Sequence, residues 1–514
     1  MNVFLHPLRS VSLAIFLFGG WCRFAVPFSV AGPAPANAGA SATASAAAVS
    51  KPLAERDYLL GDWGGLRTRL ADKGITFNLL YTGEEFGNPV GGARRGQVFD
   101  GLGSAGLDVD FGKLVGDPWK GLLFHVLAYY PHGASGTGKY TRDLGRFSNI
   151  DFYDSLRLFE LWVDKTMFEG RLSIRIGQLA TDAEFATTDT GALFMNADFG
   201  ALPTFSFNAP VPIYAIAAPG VRVRLSTKDE RFYLQGAAYD GNPDPDTLGD
   251  PTPGSRQGTT YNHSGTRINL NSKEGAFLIG QFGFRLNRRP DDKGLPGNYR
   301  VGAWYHTDTF SDNRLDRLGL SLADPRSAGI ARSRRGNYGA FLSADQNVYV
   351  APGALPLGGA AGTPVSAPVG NVEDTATGGG GGAPPAPSGA SGAAASVFLR
   401  IGVAPDDRNR VPFSLDTGLN FRGLLPSRPK DVFGLAFAYL SLSDSQRGLV
   451  RDRNRFTGAR ESLPDHESVL EITYQATLTP WLQIQPDLQY IIHPGGSGRY
   501  NDALVLGVRS LLAF

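Results

Sequence analysis

Leu482-Gln483-Ile484-Gln485-Pro486-Asp487-Leu488-Gln489-Tyr490 alternates apolar and polar residues from end to end. Successive side chains of a strand point to opposite faces. One face of this segment is therefore Leu, Ile, Pro, Leu and Tyr, and the other is Gln, Gln, Asp and Gln. The run before it repeats the pattern, with Leu470, Ile472, Tyr474 and Leu478 against Glu471, Thr473, Gln475 and Thr477. The run after it puts Leu504, Leu506, Val508, Leu512 and Phe514 on one face. A soluble sheet can hold one such strand. Many of them, each about ten residues long, describe a barrel with lipid outside and water inside.

Working back along the chain, sixteen candidate strands emerge: 75–86, 102–112, 121–130, 157–167, 171–178, 220–227, 231–239, 276–286, 299–308, 336–349, 397–403, 412–423, 431–441, 467–478, 482–493 and 501–514. Short turns such as Phe168-Glu169-Gly170 and Thr479-Pro480-Trp481 alternate with longer loops at 87–101, 131–156, 179–219, 240–275, 309–335 and 442–466. Outer-membrane barrels have short periplasmic turns and long external loops, and an even strand count returns both termini to the periplasmic side. The fold class is thus all-β, a transmembrane antiparallel β-barrel of sixteen strands. A short N-terminal periplasmic helix is expected at 57–74, where Leu66 and Leu70 sit four apart and Gly74 ends the pattern. Residues 351–396 break the alternation of loop lengths. This Gly/Ala/Pro-rich insert contains the run Gly378 to Gly382 and joins two strands at the short-turn end. Its composition cannot build a core, so it is expected to be disordered.

Composition agrees with a barrel. The chain has 514 residues, 66 of them Gly, with 49 Lys+Arg against 48 Asp+Glu, so no basic excess points to nucleic acid. After the N-terminus, no stretch approaches the ~20 apolar residues of a membrane helix. Residues 1–38 read as a secretory signal: Arg9 supplies the charge, Val11 to Phe18 the apolar core, and Ala36-Asn37-Ala38 the cleavage site, with Ala31 as the alternative. An Ala/Ser-rich flexible segment follows at 39–56. The single cysteine, Cys22, lies in the signal, so disulfide and thiol chemistry are not expected of the mature chain.

Several segments resemble the carbohydrate-selective porin (OprB) family of Gram-negative outer membranes. They are Leu59-Leu60-Gly61-Asp62-Trp63-Gly64-Gly65-Leu66-Arg67, Leu158-Phe159-Glu160-Leu161-Trp162, Tyr239-Asp240-Gly241-Asn242-Pro243, Gly302-Ala303-Trp304-Tyr305-His306-Thr307, and Leu478-Thr479-Pro480-Trp481 through Tyr490-Ile491-Ile492-His493-Pro494-Gly495-Gly496. The resemblance spans about residues 59–514. It implies a sixteen-stranded barrel in the outer membrane that passes monosaccharides by facilitated diffusion. The insert departs from the family's usual pattern.

A pore needs no catalytic residue; it needs a polar wall that exchanges hydrogen bonds with a solute at little net cost. The inward parity supplies Glu84, Asp108, Glu160, Trp162, Arg175, Arg222, Arg224 and Trp304 as candidate pore-lining residues. Carboxylates accept from sugar hydroxyls, and guanidinium groups donate in a fixed fork. Loop 179–219 is expected to fold into the barrel, so that Arg175, Arg222 and Arg224 form a constriction facing Glu84, Asp108 and Glu160. The competing reading is that these arginines only neutralise lumen acids and stiffen the wall. Trp162 and Trp304 offer ring faces to a sugar, although Trp304 reads better as a girdle or loop-packing residue.

Other chemistries find no support. Gly101-Leu102-Gly103-Ser104-Ala105-Gly106 matches a dinucleotide fingerprint, but an alternating strand follows it where a helix is required. The histidines lack i,i+4 pairing and cysteine partners, so no metal or cofactor is expected. The expected partners are small sugars, outer-membrane lipid and lipopolysaccharide, and the barrel-assembly machinery through the terminal Phe514. Monomer and trimer are both open. The rival readings are a general diffusion pore, a plugged structural barrel, and a barrel enzyme for which no nucleophile cluster is present.

Overall fold

The computed structural model describes residues 51–243, 262–268, 270, 273–287, 292–357 and 392–514. The signal reading at 1–38, most of the flexible segment at 39–56, and most of the insert at 351–396 lie outside the described residues. The rest builds sixteen strands: β1 (Ile75–Gly92), β2 (Gly96–Asp110), β3 (Leu122–Gly133), β4 (Arg157–Met167), β5 (Leu172–Leu179), β6 (Ala218–Ser226), β7 (Phe232–Asp240), β8 (Ala276–Leu286), β9 (Gly297–Asp316), β10 (Ala331–Val350), β11 (Ala394–Val403), β12 (Phe413–Arg422), β13 (Val432–Ser441), β14 (His466–Thr479), β15 (Leu482–Ile492) and β16 (Asn501–Ala513). Each pairs antiparallel with its sequence neighbours, and β1 closes on β16 through pairs such as Glu84 with Arg509. Closure leaves no free edge.

The alternation along β15 decides the faces. Gln483, Gln485, Asp487 and Gln489 are buried in the lumen, whereas Tyr490, Leu506 and Val508 are exposed outward. Exposed aromatic residues gather toward the two ends of the wall. Tyr130, Tyr305, Tyr338 and Tyr490 lie toward the long-loop end, and Phe168, Phe232, Tyr299 and Tyr349 toward the short-turn end. An apolar band between two aromatic belts is the signature of an outer-membrane barrel.

Three expectations about length are corrected. First, the loop expected at 87–101 is mostly strand, with a turn at 93–95. Gly87, Asn88, Pro89 and Gly91 read as a loop in sequence, but the β1–β16 ladder absorbs them through register shifts between Gly87, Val90 and Gly92. Second, β9 and β10 run on into 309–335, as far as Asp316 and from Ala331, and stand well above the wall as a long hairpin. Third, the helix expected over 57–74 is confined to Leu66–Asp72, because Gly64 and Gly65 take φ of 67° and 86°, which an α-helix cannot hold. This segment is nonetheless well anchored. Arg67 donates to the carbonyls of Phe514 (2.7 Å) and Phe77 (2.9 Å), so it ties the chain end to β1.

The loop expected at 442–466 contains a helix, Asp444–Thr457. Its signals are in the sequence: Ser443 accepts from the amide of Gln446 (3.1 Å), and Gly458 ends the helix at φ 72°.

The hydrophobic core sits inside the lumen. Inward-facing Phe277, Ile279, Phe341, Phe398, Val469, Ile491 and Val505 are buried against Phe194, Phe199, Phe205 and Phe147, which belong to two loops that enter the barrel. Those loops are 134–156, between β3 and β4, and 180–217, between β5 and β6.

Candidate functional site

The inward strand positions and the two loops meet at a set of polar anchors. Loop 180–217 crosses the lumen. Near β5 and β6, its Glu184 takes Nε of Arg222 (2.7 Å) and also pairs with Arg175. Both arginines reach Asp164 on β4 as well, at 3.1 and 2.9 Å. Burial alone would push the Glu184 carboxyl up, but the guanidiniums of Arg175 and Arg222 outweigh it and hold it down at about 2. On the far side, Glu471 accepts the amides of Met195 (2.6 Å) and Asn196 (2.9 Å). Asp345 accepts the amide of Thr190 (2.9 Å), and Arg400 donates to the carbonyls of Gly200 (2.6 Å) and Asp198 (2.8 Å).

Loop 134–156 is held by the same logic. Glu467 accepts the amides of Leu144 (2.8 Å) and Gly145 (3.1 Å), and Gln489 donates to the Phe147 carbonyl (2.8 Å). Between the two loops lies a cavity of about 100 Å³, bordered by polar residues that include Arg146, Asn149, Asp151, Asp182, Ser206 and Tyr214.

The candidate residues fall into three places. Asp108, Glu160, Trp162, Arg175 and Arg222 come together with His125. Its imidazole stacks on Trp162 (ring centroids 4.6 Å apart) and meets Asp108 at 2.7 Å and Glu160 at 3.7 Å. Arg175 lies 3.7 Å from the Trp162 ring centroid. The indole is only 2% exposed; in this conformation its ring meets the imidazole and the guanidinium, and its N–H donates to Glu160 (3.4 Å). Glu84 stands apart, paired with Arg509 and accepting from Ser148 of loop 134–156 (2.6 Å). Arg224 lies one inward position nearer the short-turn end, over the Tyr233 ring at 4.2 Å. Trp304 packs among Phe277, Phe205 and Phe341 beneath loop 180–217.

Sequence reasoning missed Glu184, Asp345, Arg400 and His125. The parity of β10 and β11 offered Asp345 and Arg400. Nothing periodic marks Glu184, which lies in a loop.

Asp198 carries a pH dependence. Its carboxylate is buried, and neither oxygen has a hydrogen-bond partner among the described residues. Burial, with Asp416 and Asp143 nearby, pushes it up from 3.8 to about 8. A carboxyl whose folded value lies above its unfolded one costs the fold nothing while both states are protonated. Its burden grows as pH rises from about 4 to about 8. Thermal melts between pH 5 and 9 should therefore show stability falling with pH, and Asp198→Asn should flatten that slope. An unchanged slope in the variant would remove Asp198 as its source.

The model of the carbohydrate-selective porin, OprB family, matches residues 100–382 and 384–514. Porin B of Pseudomonas aeruginosa is 26% identical over 483 residues, covering 89% of this chain and 91% of that protein. A putative porin, QuiX, of Acinetobacter baylyi is 22% identical over 488 residues, covering 90% and 94%. The high-pH structure of Pseudomonas putida OprB aligns with a TM-score of 0.72 at 23% identity, covering 90% of this chain and 99% of that one. This last likeness speaks for the fold.

Proposed function

The chain belongs to the carbohydrate-selective porin (OprB) family, and from that premise we propose that it passes glucose-like monosaccharides by facilitated diffusion through a constriction made by its two inward loops. The protein is a sugar-selective porin of the Gram-negative outer membrane, a channel in which no chemical step is required. The finer reading concerns which groups choose the solute.

The observation that carries it is the clamp of Glu184 by Arg175 and Arg222. A loop fixed by a low-lying carboxylate between two guanidiniums is rigid, and a rigid loop gives a passage of constant width. In this reading Arg175 and Arg222, with Asp108, Glu160 and Trp162 behind them, set the position of the loop. Arg224, nearer the short-turn end, offers its guanidinium to a solute that has passed the loops. Arg146, Asn149, Asp151 and Tyr214 border the gap itself. Mixed donors and acceptors there suit a neutral polyhydroxylated solute, whose hydroxyls both donate and accept.

Proteoliposome swelling tests this. Glucose should enter faster than a neutral amino acid of smaller size, and a disaccharide should enter slowly. Rates that simply follow solute size would leave a general diffusion pore. No swelling would mean that the two loops close the lumen.

A further inference from the structure

A second site lies on the outer wall, away from the passage. Where β16, β1 and β2 run side by side toward the long-loop end, the outward face carries a trench of about 550 Å³. The register explains it. Val508 pairs with Glu85, which pairs with Phe99; in the next outward row, Leu506 pairs with Gly87, which pairs with Gln97. Gly87 supplies no side chain where its neighbours supply long ones, so the surface dips there. Arg95 stands at the rim, and Arg94 beside it is also exposed. Neither arginine forms an ion pair with a carboxylate among the described residues, and the outward Glu85 likewise has no cationic partner among them.

The height of the trench matters. Phe99 sits in the bottom row, and Tyr490 lies one strand away opposite Leu504, so the trench begins at the outer aromatic belt. Aromatic belts mark the headgroup level of a membrane. Leu506 and Val508 continue below into the apolar band. Along the strands from the loop end the wall therefore offers two guanidiniums, then the groove at Gly87 flanked by Leu506, then the carboxylate of Glu85 between Val508 and Phe99.

We propose that this trench binds the phosphorylated glycolipid of the outer leaflet. A phosphate would take charge-assisted hydrogen bonds from Arg94 and Arg95. The hydroxyl and amide N–H groups of the headgroup sugar would donate to Glu85. To reach it the sugar would lie over Gly87, and one acyl chain would descend beside it along Leu506 and Val508. A plain anionic phospholipid satisfies the arginines but brings no sugar ring to fill the groove over Gly87 and reach Glu85 beyond it. That asymmetry commits the site to a glycolipid.

The test uses the full-length purified porin in detergent and native mass spectrometry, with bisphosphorylated lipid A, its dephosphorylated form, phosphatidylglycerol and inorganic phosphate as probes. Wild-type protein should retain one lipid A. The double variant Arg94→Gln/Arg95→Gln should bind it roughly 10- to 30-fold more weakly, as expected for two interfacial cations. Gly87→Leu should fill the groove and release the lipid with both arginines intact. A Cβ at Gly87 meets the Gln97 side chain at 3.6 Å and the Gly96 carbonyl at 3.9 Å, both ordinary van der Waals contacts, so the fold accepts the change. Sugar flux in liposomes, unchanged in both variants, confirms that the barrel is intact. Millimolar phosphate should not compete, and dephosphorylated lipid A should bind weakly. Equal retention of lipid A by wild type and both variants would overturn the proposal, as would phosphatidylglycerol binding as tightly as lipid A.

Discussion

Arg222→Ala should give a channel that folds but no longer discriminates. Arg222 is buried, and it donates through Nη1 to Ser173 Oγ (2.6 Å), through Nη2 to Asp164 (2.9 Å) and through Nε to Glu184 (2.7 Å). Its removal leaves two buried carboxylates to share Arg175. Breaking one side of such a buried pair costs about 3–5 kcal/mol, because the remaining charge has lost both water and partner. The cost falls on the loop. Strands β4, β5 and β6 keep their backbone ladders, so the barrel can shed the strain by releasing Glu184. Single-channel conductance should rise, and the glucose-to-amino-acid ratio in swelling assays should fall toward the ratio set by size. Arg222→Lys should recover only part of the selectivity, since an ammonium cannot bridge Asp164 and Glu184 as a planar fork does. Unchanged conductance in Arg222→Ala would show that the loop is held elsewhere. Acid should act on the wild type in the same direction. The Glu184 carboxyl is depressed to about 2, so its contribution is complete above the ordinary 4.5 and is lost as pH falls through the range below it.

The strands were legible because a barrel wall separates two solvents. Wherever one face meets lipid and the other water, polarity alternates, and β15 is the clearest case. Legibility fades where the inner face meets neither. On β3 the inward residues Leu123, His125 and Tyr129 are buried, and on β8 Phe277 and Ile279 are buried under loop 180–217. At those positions apolar residues point both ways, and the period-two signal weakens. His125, a polar residue among apolar ones, therefore gave no sign that it links Asp108, Glu160 and Trp162. The loops are harder still. Glu184 and Ser148 occupy irregular backbone and Asp198 a single 3-10 turn, so no spacing rule ties Glu184 to Arg222, 38 residues away, or Ser148 to Glu84, 64 residues away. Those pairings exist only after the wall has closed. The candidate residues came from parity, and parity finds the wall groups. It does not say whether each meets solute or holds a loop.

Arg400 tests the same loop from the opposite wall, and there the expected effect is larger. Its guanidinium is 1% exposed. It donates to the carbonyls of Ala186 (3.3 Å), Asp198 (2.8 Å) and Gly200 (2.6 Å) and also pairs with Asp416 on β12. Arg400→Met keeps much of the volume and removes every donor. Asp416 is then a buried carboxylate without its cation, again worth about 3–5 kcal/mol. Three loop carbonyls also lose a partner, at about 1–3 kcal/mol for each that finds no water. The variant's loop should become sensitive to protease within 186–200, and glucose selectivity should disappear. Adding Asp416→Asn should restore part of the stability, because the stranded charge is gone. It should restore none of the selectivity, because the carbonyls remain unheld. That split separates the two roles of the arginine. If Asp416→Asn rescued both, charge balance in the wall would be the whole of its function, and the constriction would be set by the Glu184 clamp alone. If it rescued stability only, the loop is a strap held at both walls, and the width of the passage depends on Arg222 and Arg400 together.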